Sequence, residues 1–262
     1  MYEETKREVA IANRILAEVG LCNGITASLG HISMRVPGHP EHFIVKGRGY
    51  EIDALPRMTP EEMVVCDLEG YKVEAKGEAM QCFEVKIHSC ILRDHPEINS
   101  VCHVHPRFAV LMSTLQRQLK PMAQEGAQVV RYPIPVWNKF RLVSTEEDGA
   151  GVSKLMGQAT ESHAVTLRGH GVVTAGTDLE RCFMTMYTLE EQARLNYQAL
   201  AALGPDYPGI PAELLAEENP PRSEMPHFKD SDTVASRSTP RPGGLWAHYA
   251  KMMEDDFKAR GL

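Results

Sequence analysis

The sequence lacks the long apolar run that a membrane-spanning helix needs. A bilayer core takes about 20 consecutive apolar residues, and no stretch of this 262-residue chain approaches that length. Residues 1–8 are charged and typical of a helix, which is unlike the start of a secretion signal. We therefore expect a cytoplasmic protein that does not interact with a membrane.

Cysteine pairs with the spacing of zinc or redox motifs are also missing. The chain has 6 cysteines and no Cys-x-x-Cys pair. All of them lie in apolar segments, where a thiol behaves as a small buried hydrophobic group. We expect reduced, unpaired thiols, as is usual in a reducing compartment.

Two common nucleotide-binding motifs are absent as well. The sequence contains neither GxGxxG nor GxxxxGK[ST], which removes the usual dinucleotide-binding and P-loop hypotheses. A net charge of −7 argues against non-specific binding to nucleic acid. We therefore expect no nucleic-acid partner.

Hydrophobic periodicity predicts a mixed α/β chain. Helices are expected over residues 3–20, 80–94, 108–115, 149–159, 179–203 and 245–260. Strands are expected over residues 31–36, 42–46, 129–134, 163–167 and 172–176, through His103 and His105, and in a hairpin over 64–73. Their irregular alternation favours a single layered α/β domain over residues 1–203. Residues 204–262 are Pro-rich, and we expect an extension that packs on the body or on a neighbouring subunit.

Two histidines in one apolar strand give the main functional signal. His103 and His105 stand two positions apart, and because strand side chains alternate between faces, both imidazoles leave the same face. His170 lies between two glycines, which allow a sharp turn toward another strand. Glu84, at the head of a predicted helix, is the candidate fourth ligand or general acid–base. Three imidazoles and a carboxylate suit Zn²⁺ or Mn²⁺.

Each of these residues taken alone also has a simpler explanation. A His-x-His pair can be two surface histidines, and His170 can be a turn residue. Glu84 can be an exposed glutamate that the helix dipole favours. His88, one helical turn after Glu84, fits a packed or supporting histidine better than a direct ligand.

The order and spacing of these motifs resemble the class II aldolase/adducin family. The resemblance covers about residues 5–200 and rests on Gly30-His31-Ile32-Ser33-Met34-Arg35, Glu84, His103-Val104-His105 and His170-Gly171. It implies a central, mostly antiparallel sheet flanked by helices and a divalent metal on the three histidines. It also implies a homotetramer with sites at subunit interfaces.

The chain departs from the sugar-phosphate enzymes of that family at three places. Those enzymes carry Asn where this chain has His31, and a Ser-Ser pair where it has Cys82-Phe83. They offer a Tyr proton donor in the stretch that corresponds to residues 121–126, which contains none here. A phosphorylated sugar is therefore a poor candidate substrate.

The same departures favour a carboxylate substrate. His31, Arg48 and Arg107 place positive or hydrogen-bond-donating groups where a carboxylate could bind, and Ser33 is a further candidate for substrate contact. This combination is similar to the decarboxylase branch of the family, whose members act on hydroxylated aromatic or pyridine carboxylic acids.

The resemblance implies a metal-dependent decarboxylase of aromatic catabolism. The metal would bind the substrate's hydroxyl oxygen and an adjacent carboxylate, and would stabilise the electron pair that carbon dioxide leaves behind. Glu84 or His31 would then protonate the ring carbon. One alternative is an aldolase that acts on a non-phosphorylated hydroxy-keto acid or sugar. Another is a non-enzymatic interaction module like the adducin head.

Overall fold

The computed structural model describes residues 2–49, 51–73, 79–217 and 244–261. Its helices are α1 (Tyr2–Glu18), α2 (Val85–Asp94), α3 (Arg107–Thr114), α4 (Glu146–Gln158), α5 (Leu179–Leu203), α6 (Ala212–Leu215) and α7 (Leu245–Arg260). Its strands are β1 (Gly30–Val36), β2 (His39–Arg48), β3 (Met63–Asp67), β4 (Met80–Gln81), β5 (Ser100–Val104), β6 (Val136–Trp137), β7 (Ala164–Leu167) and β8 (Gly171–Gly176).

The strands form one mixed sheet. Their order is β3-β2-β1-β5-β8-β7-β6, and β4 also pairs with β2. Within the described residues every strand pairing is antiparallel except that of β6 with β7. The predicted fold class, a mostly antiparallel central sheet flanked by helices, is confirmed.

Helices cover both faces of the sheet, and each face has its own apolar core. One core packs α1 and α5 against the sheet, and the other packs α2 and α4 against the opposite face. Strand β5 contributes to both, because Cys102 and Val104 belong to the first core and Val101 to the second. By the same alternation, His103 points to the face that α2 covers.

The C-terminal helix α7 packs against α1. Phe257 is fully buried in the core that α1 and α5 share. Asp256 forms an ion pair with Arg14 of α1, and the Trp246 ring lies 5.6 Å from that of Phe183. Most of the Pro-rich stretch that precedes α7 falls in 218–243, outside the described residues. No helix in the described ranges is long and apolar enough to cross a membrane.

The predicted strand over residues 129–134 is wrong. The chain there forms turns, in which the N–H of Val129 donates to the carbonyl of Gly126 over 3.0 Å. Pro133 and Pro135 have no N–H to offer a neighbouring strand. Strand pairing therefore begins only after Pro135, in β6.

Two predicted helix starts also differ from the structure. Residues 80–81 form the short strand β4 instead of the first turn of α2, which begins at Val85. Helix α4 begins three residues earlier than predicted, because the Thr145 side chain accepts a hydrogen bond from the Asp148 N–H and caps it.

Candidate metal centre

Two loops, one strand and one helix start bring the four predicted ligands together. His103 lies on β5, and His105 follows at its end. His170 lies in the turn between β7 and β8, and Glu84 is the residue that precedes α2. One ligand atom from each residue lies within 4.8 Å of the others. We call these four residues the His/Glu cluster.

The distances inside the His/Glu cluster fit a cation. Oε2 of Glu84 lies 3.3 Å from Nε2 of His103 and 3.5 Å from Nε2 of His170. The Nε2 atoms of His103 and His105 are 3.2 Å apart. Four ligands bound tetrahedrally at about 2.1 Å would lie about 3.4 Å from one another. The cluster therefore has the spacing of a divalent-metal site.

Hydrogen bonding directs the ligand nitrogens toward the centre of the cluster. Nδ1 of His103 donates to the Val172 carbonyl over 3.1 Å, so its Nε2 carries the lone pair. Among the described residues, no hydrogen-bond partner reaches either buried nitrogen of His170. Its Nε2 is within ionic distance of Glu84 but lacks hydrogen-bond geometry. Unsatisfied buried polar atoms are costly, and a bound cation would remove that cost.

Glu84 has the charge that a metal ligand needs. Burial opposes its ionisation, but in the metal-free protein a positive charge on the neighbouring His103 and the Val143 N–H, 2.9 Å from Oε1, outweigh burial and hold its pKa well below the usual range. Glu84 is therefore a carboxylate at neutral pH. It must take up a proton before it can donate one.

A cavity of about 210 Å³ opens beside the His/Glu cluster. It is lined by Ser28, Leu29, Gly30, His31, Lys46, Arg48, Cys82, Phe83, Glu84, His105 and Leu142. The Arg48 guanidinium lies 4.6 Å from the centre of the Phe83 ring and 3.1 Å from Asp53. The cavity thus offers a guanidinium and an aromatic ring side by side, next to the cluster.

The structure separates the predicted substrate-binding residues into two groups. His31 and Arg48 line the cavity. Ser33 is fully buried, and its Oγ lies 2.7 Å from Nδ1 of His88. Arg107 lies at the exposed start of α3, beside Gly24. Neither Ser33 nor Arg107 lines the cavity, and substrate contact by these two residues stays a prediction.

Sequence reasoning missed the role of Lys46. Its side chain is 1% exposed, and its Nζ forms an ion pair with Asp53 at 2.5 Å and donates to the Ser28 carbonyl at 3.1 Å. These contacts hold the loop of Ser28 against the cavity. A signal was available, because a lysine that ends an apolar strand needs an acidic partner if it is buried.

The chain belongs to the family described as Class II Aldolase and Adducin N-terminal domain, which matches residues 7–197. It is 30% identical over 222 residues to the 3,4-dihydroxyphthalate decarboxylase of Terrabacter sp. (strain DBF63). That alignment covers 82% of this chain and 89% of the decarboxylase. It is also 28% identical over 144 residues to the L-fuculose phosphate aldolase of Methanococcus maripaludis. That alignment covers 55% of this chain and 74% of the aldolase.

A solved structure has the same fold. The aldolase II superfamily protein of Pseudomonas syringae matches with a TM-score of 0.73 and 20% identity, over 98% of this chain and 93% of that one. The family predicted from the motifs is confirmed, and its known relatives include lyases of two kinds, decarboxylases and aldolases.

Proposed function

We propose that this protein is a divalent-metal-dependent decarboxylase of a hydroxylated aromatic or pyridine (di)carboxylic acid. One observation carries the proposal: the His/Glu cluster shares a cavity with Arg48 and Phe83. That combination suits an aromatic carboxylate bound next to a cation. The similarity to a 3,4-dihydroxyphthalate decarboxylase supports the reaction class.

Arg48 and Phe83 bind the substrate. The guanidinium holds a carboxylate through charge-assisted hydrogen bonds, and the aromatic side chain packs against the ring. His103, His105 and His170, with Glu84, hold Zn²⁺ or Mn²⁺. When bound, the cation supplies electrostatic stabilisation for the negative charge that develops as carbon dioxide leaves.

The ring carbon that loses carbon dioxide must gain a proton. Glu84 is ionised, so it first accepts the proton of a substrate hydroxyl and then delivers that proton to the carbon. His31 lies on the wall of the same cavity and is the second candidate for this transfer.

A second candidate function is an aldolase of a non-phosphorylated hydroxy-keto acid or sugar. The similarity to L-fuculose phosphate aldolase favours it, and it would use the same His/Glu cluster. Such an enzyme releases an aldehyde instead of carbon dioxide. An interaction module is disfavoured, because it has no need of four converging ligands.

Product analysis distinguishes these candidates. The purified protein is incubated with a panel of hydroxylated benzene and pyridine dicarboxylates that includes 3,4-dihydroxyphthalate, and carbon dioxide is measured by mass spectrometry. We expect carbon dioxide from at least one acid, and none after treatment with EDTA. A His39→Gln variant, altered at a partly exposed histidine outside the cluster, should retain full activity. Aldehyde from a hydroxy-keto acid, with no carbon dioxide from any acid, would instead establish the aldolase.

We also propose that the chain assembles into a homotetramer. Phe140 is 83% exposed and Leu142, two positions further on, is 52% exposed, and neighbouring exposed apolar side chains are typical of an interaction surface. The Phe140 ring lies close to Gly169, the neighbour of the ligand His170. A subunit that covered Phe140 would therefore border the metal centre. Light scattering coupled to size-exclusion chromatography tests this, and a monomer at micromolar concentration would contradict it.

A further inference from the structure

Three buried side chains form a hydrogen-bonded chain behind the cavity. Nδ1 of His31 lies 2.7 Å from Nε2 of His88, and Nδ1 of His88 lies 2.7 Å from Oγ of Ser33. His31 and Ser33 are two positions apart on β1, so both face the same residue of α2. His88 and Ser33 are fully buried, and His31 is 6% exposed. We call these three residues the His–His–Ser chain.

The carbonyl of Val101 determines which atom donates in each hydrogen bond of the His–His–Ser chain. The Ser33 hydroxyl donates its single proton to that oxygen over 3.4 Å, because a carbonyl oxygen can only accept. The bond between Oγ of Ser33 and Nδ1 of His88 therefore takes its proton from Nδ1 of His88. Nε2 of His88 is then an acceptor, and Nδ1–H of His31 donates to it.

The tautomer is a property of the neutral imidazoles. Both rings are buried, where an unpaired charge is costly. A neutral imidazole carries one proton, so donation from Nδ1 of His31 leaves its Nε2 bare.

We propose that His88 and Ser33 hold His31 in the tautomer protonated at Nδ1, so that its bare Nε2 accepts a hydrogen bond from a substrate hydroxyl. His31 lines the cavity while His88 occupies its Nδ1, which leaves Nε2 as the nitrogen available to a ligand. His31 is therefore a specificity residue, and His88 and Ser33 are positioning residues.

This assignment narrows the substrate class and in that respect rests on the proposed function. The acid carries a hydroxyl directed at His31, in addition to the oxygen atoms that approach the His/Glu cluster. A dihydroxylated ring meets both requirements. A methyl ether at the position that faces His31 does not, because an ether oxygen has no proton to donate.

The tautomer can be measured without any substrate. Nitrogen-15 NMR of imidazole side chains in the zinc-loaded, full-length protein reports which nitrogen is protonated, and His31→Gln identifies the His31 signals. We expect His31 to be protonated at Nδ1 and bare at Nε2. In His88→Leu, which removes the acceptor, we expect a mixture of tautomers, whereas His39→Gln leaves the His31 signals unchanged. A neutral His31 protonated at Nε2 in the wild-type protein would overturn the proposal, whether or not His88→Leu folds.

Binding measurements test the specificity. The probes are 3,4-dihydroxyphthalate and its two mono-methyl ethers, titrated calorimetrically into the zinc-loaded wild type and His31→Leu. For each protein, the affinity for 3,4-dihydroxyphthalate is divided by the affinity for each ether. For one ether we expect this ratio to be on the order of tenfold larger in the wild type than in His31→Leu, because the wild type loses one neutral hydrogen bond to that ether. If the wild type and His31→Leu distinguished 3,4-dihydroxyphthalate from both ethers equally well, the role of His31 would be overturned. Failure of the decarboxylase proposal, seen as no carbon dioxide release, would leave the NMR result valid.

Discussion

At the residue scale, His170 is the ligand whose surroundings argue most directly for a bound cation. The other two histidines have neighbours that partly satisfy them, since His103 donates to Val172 and His105 faces His103. Both ring nitrogens of His170 are buried, and no described residue forms a hydrogen bond with either of them. Folding around such a ring is costly unless something binds it.

Replacing His170 by Ala should therefore remove most of the metal affinity and leave the fold intact. We expect the affinity for Zn²⁺ to fall by more than the ~10–100-fold that is typical when only a supporting partner of a ligand is lost. Calorimetric titration with Zn²⁺ measures this, with His248→Ala, at an exposed histidine of α7, as the control. Wild-type affinity in His170→Ala would contradict the site.

Glu190 of α5 supports the centre from a distance. Its carboxylate accepts the N–H groups of Phe108 and Ala109, each at 2.9 Å, and so caps helix α3, which follows the ligand His105. Burial raises the pKa of Glu190 to about 7 in spite of these bonds. The folded protein therefore holds this proton more tightly than the unfolded chain does.

The sign of the resulting pH dependence follows from that difference. The stabilisation due to protonated Glu190 is fully present below the unfolded-state pKa of about 4.3 and is lost as the pH rises through about 7. Between about pH 5 and pH 8, Glu190 should lower the unfolding free energy of the wild type by up to about 3 kcal/mol. In Glu190→Gln we expect this part of the decrease to be absent. Urea unfolding at both pH values measures this. An equal decrease in the wild type and the variant would rule out Glu190 as its source.

At the element scale, the approach of β8 to β5 shapes the metal centre. A Cβ atom at Gly171 would lie 2.6 Å from Cε1 of His103 and 2.6 Å from the Val104 carbonyl oxygen. Neither atom can move without shifting the strand or a ligand ring. Glycine at this position is therefore a requirement of the site as well as of the sheet.

Gly171→Ala should affect both stability and metal binding. We expect a loss of about 1–3 kcal/mol in unfolding free energy, as for other overpacked sites, together with weaker Zn²⁺ binding. Gly151→Ala is the matched control, since its Cβ would make only ordinary contacts with Trp137 and alanine favours a helix. Urea unfolding and zinc titration are made on both variants. Wild-type values in Gly171→Ala would refute the close packing.

Long elements could be predicted from the sequence, and short ones could not. The predicted bounds of α5 and α7 coincide with those in the structure, because each helix has enough turns to show its periodicity. Strands β4 and β6 have two residues each, too few to show any alternation. They exist because β2 and β7 offer them backbone hydrogen bonds.

The same distinction applies to the site. His103 and His105 could be found from local spacing, since a period of two is a property of the strand itself. The partnership of His88 with His31 and Ser33 could not, because it joins side chains that lie 57 and 55 positions apart. Such contacts depend on how α2 packs across the sheet, which no local pattern encodes.

At the scale of the whole molecule, α7 is attached to the body through a few buried side chains. Phe257 is fully buried, and the Arg14 guanidinium lies 4.8 Å from the centre of its ring. The division of the chain into residues 1–203 and 204–262 stays a prediction. The packing of α7 on α1 nevertheless means that the end of the chain contributes to the stability of the body.

Phe257→Ala should destabilise the protein without changing its metal site. Truncation of a buried phenylalanine typically costs about 3–5 kcal/mol, and α7 packs on the face of the sheet opposite the one that His103 faces. Thermal unfolding and zinc titration measure the two effects, with Met252→Ala, at a side chain that is 39% exposed, as the control. Equal unfolding temperatures of Phe257→Ala and Met252→Ala would show that α7 does not depend on this contact.

The dependence of carbon dioxide release on bound cation tests the central claim most directly. Protein stripped with a chelator is titrated with Zn²⁺ or Mn²⁺ in the presence of the acid that the substrate panel identifies. We predict that carbon dioxide release is absent at first, rises with added cation, and saturates when the His/Glu cluster is filled. Full carbon dioxide release by the stripped protein before any cation is added would contradict the claim.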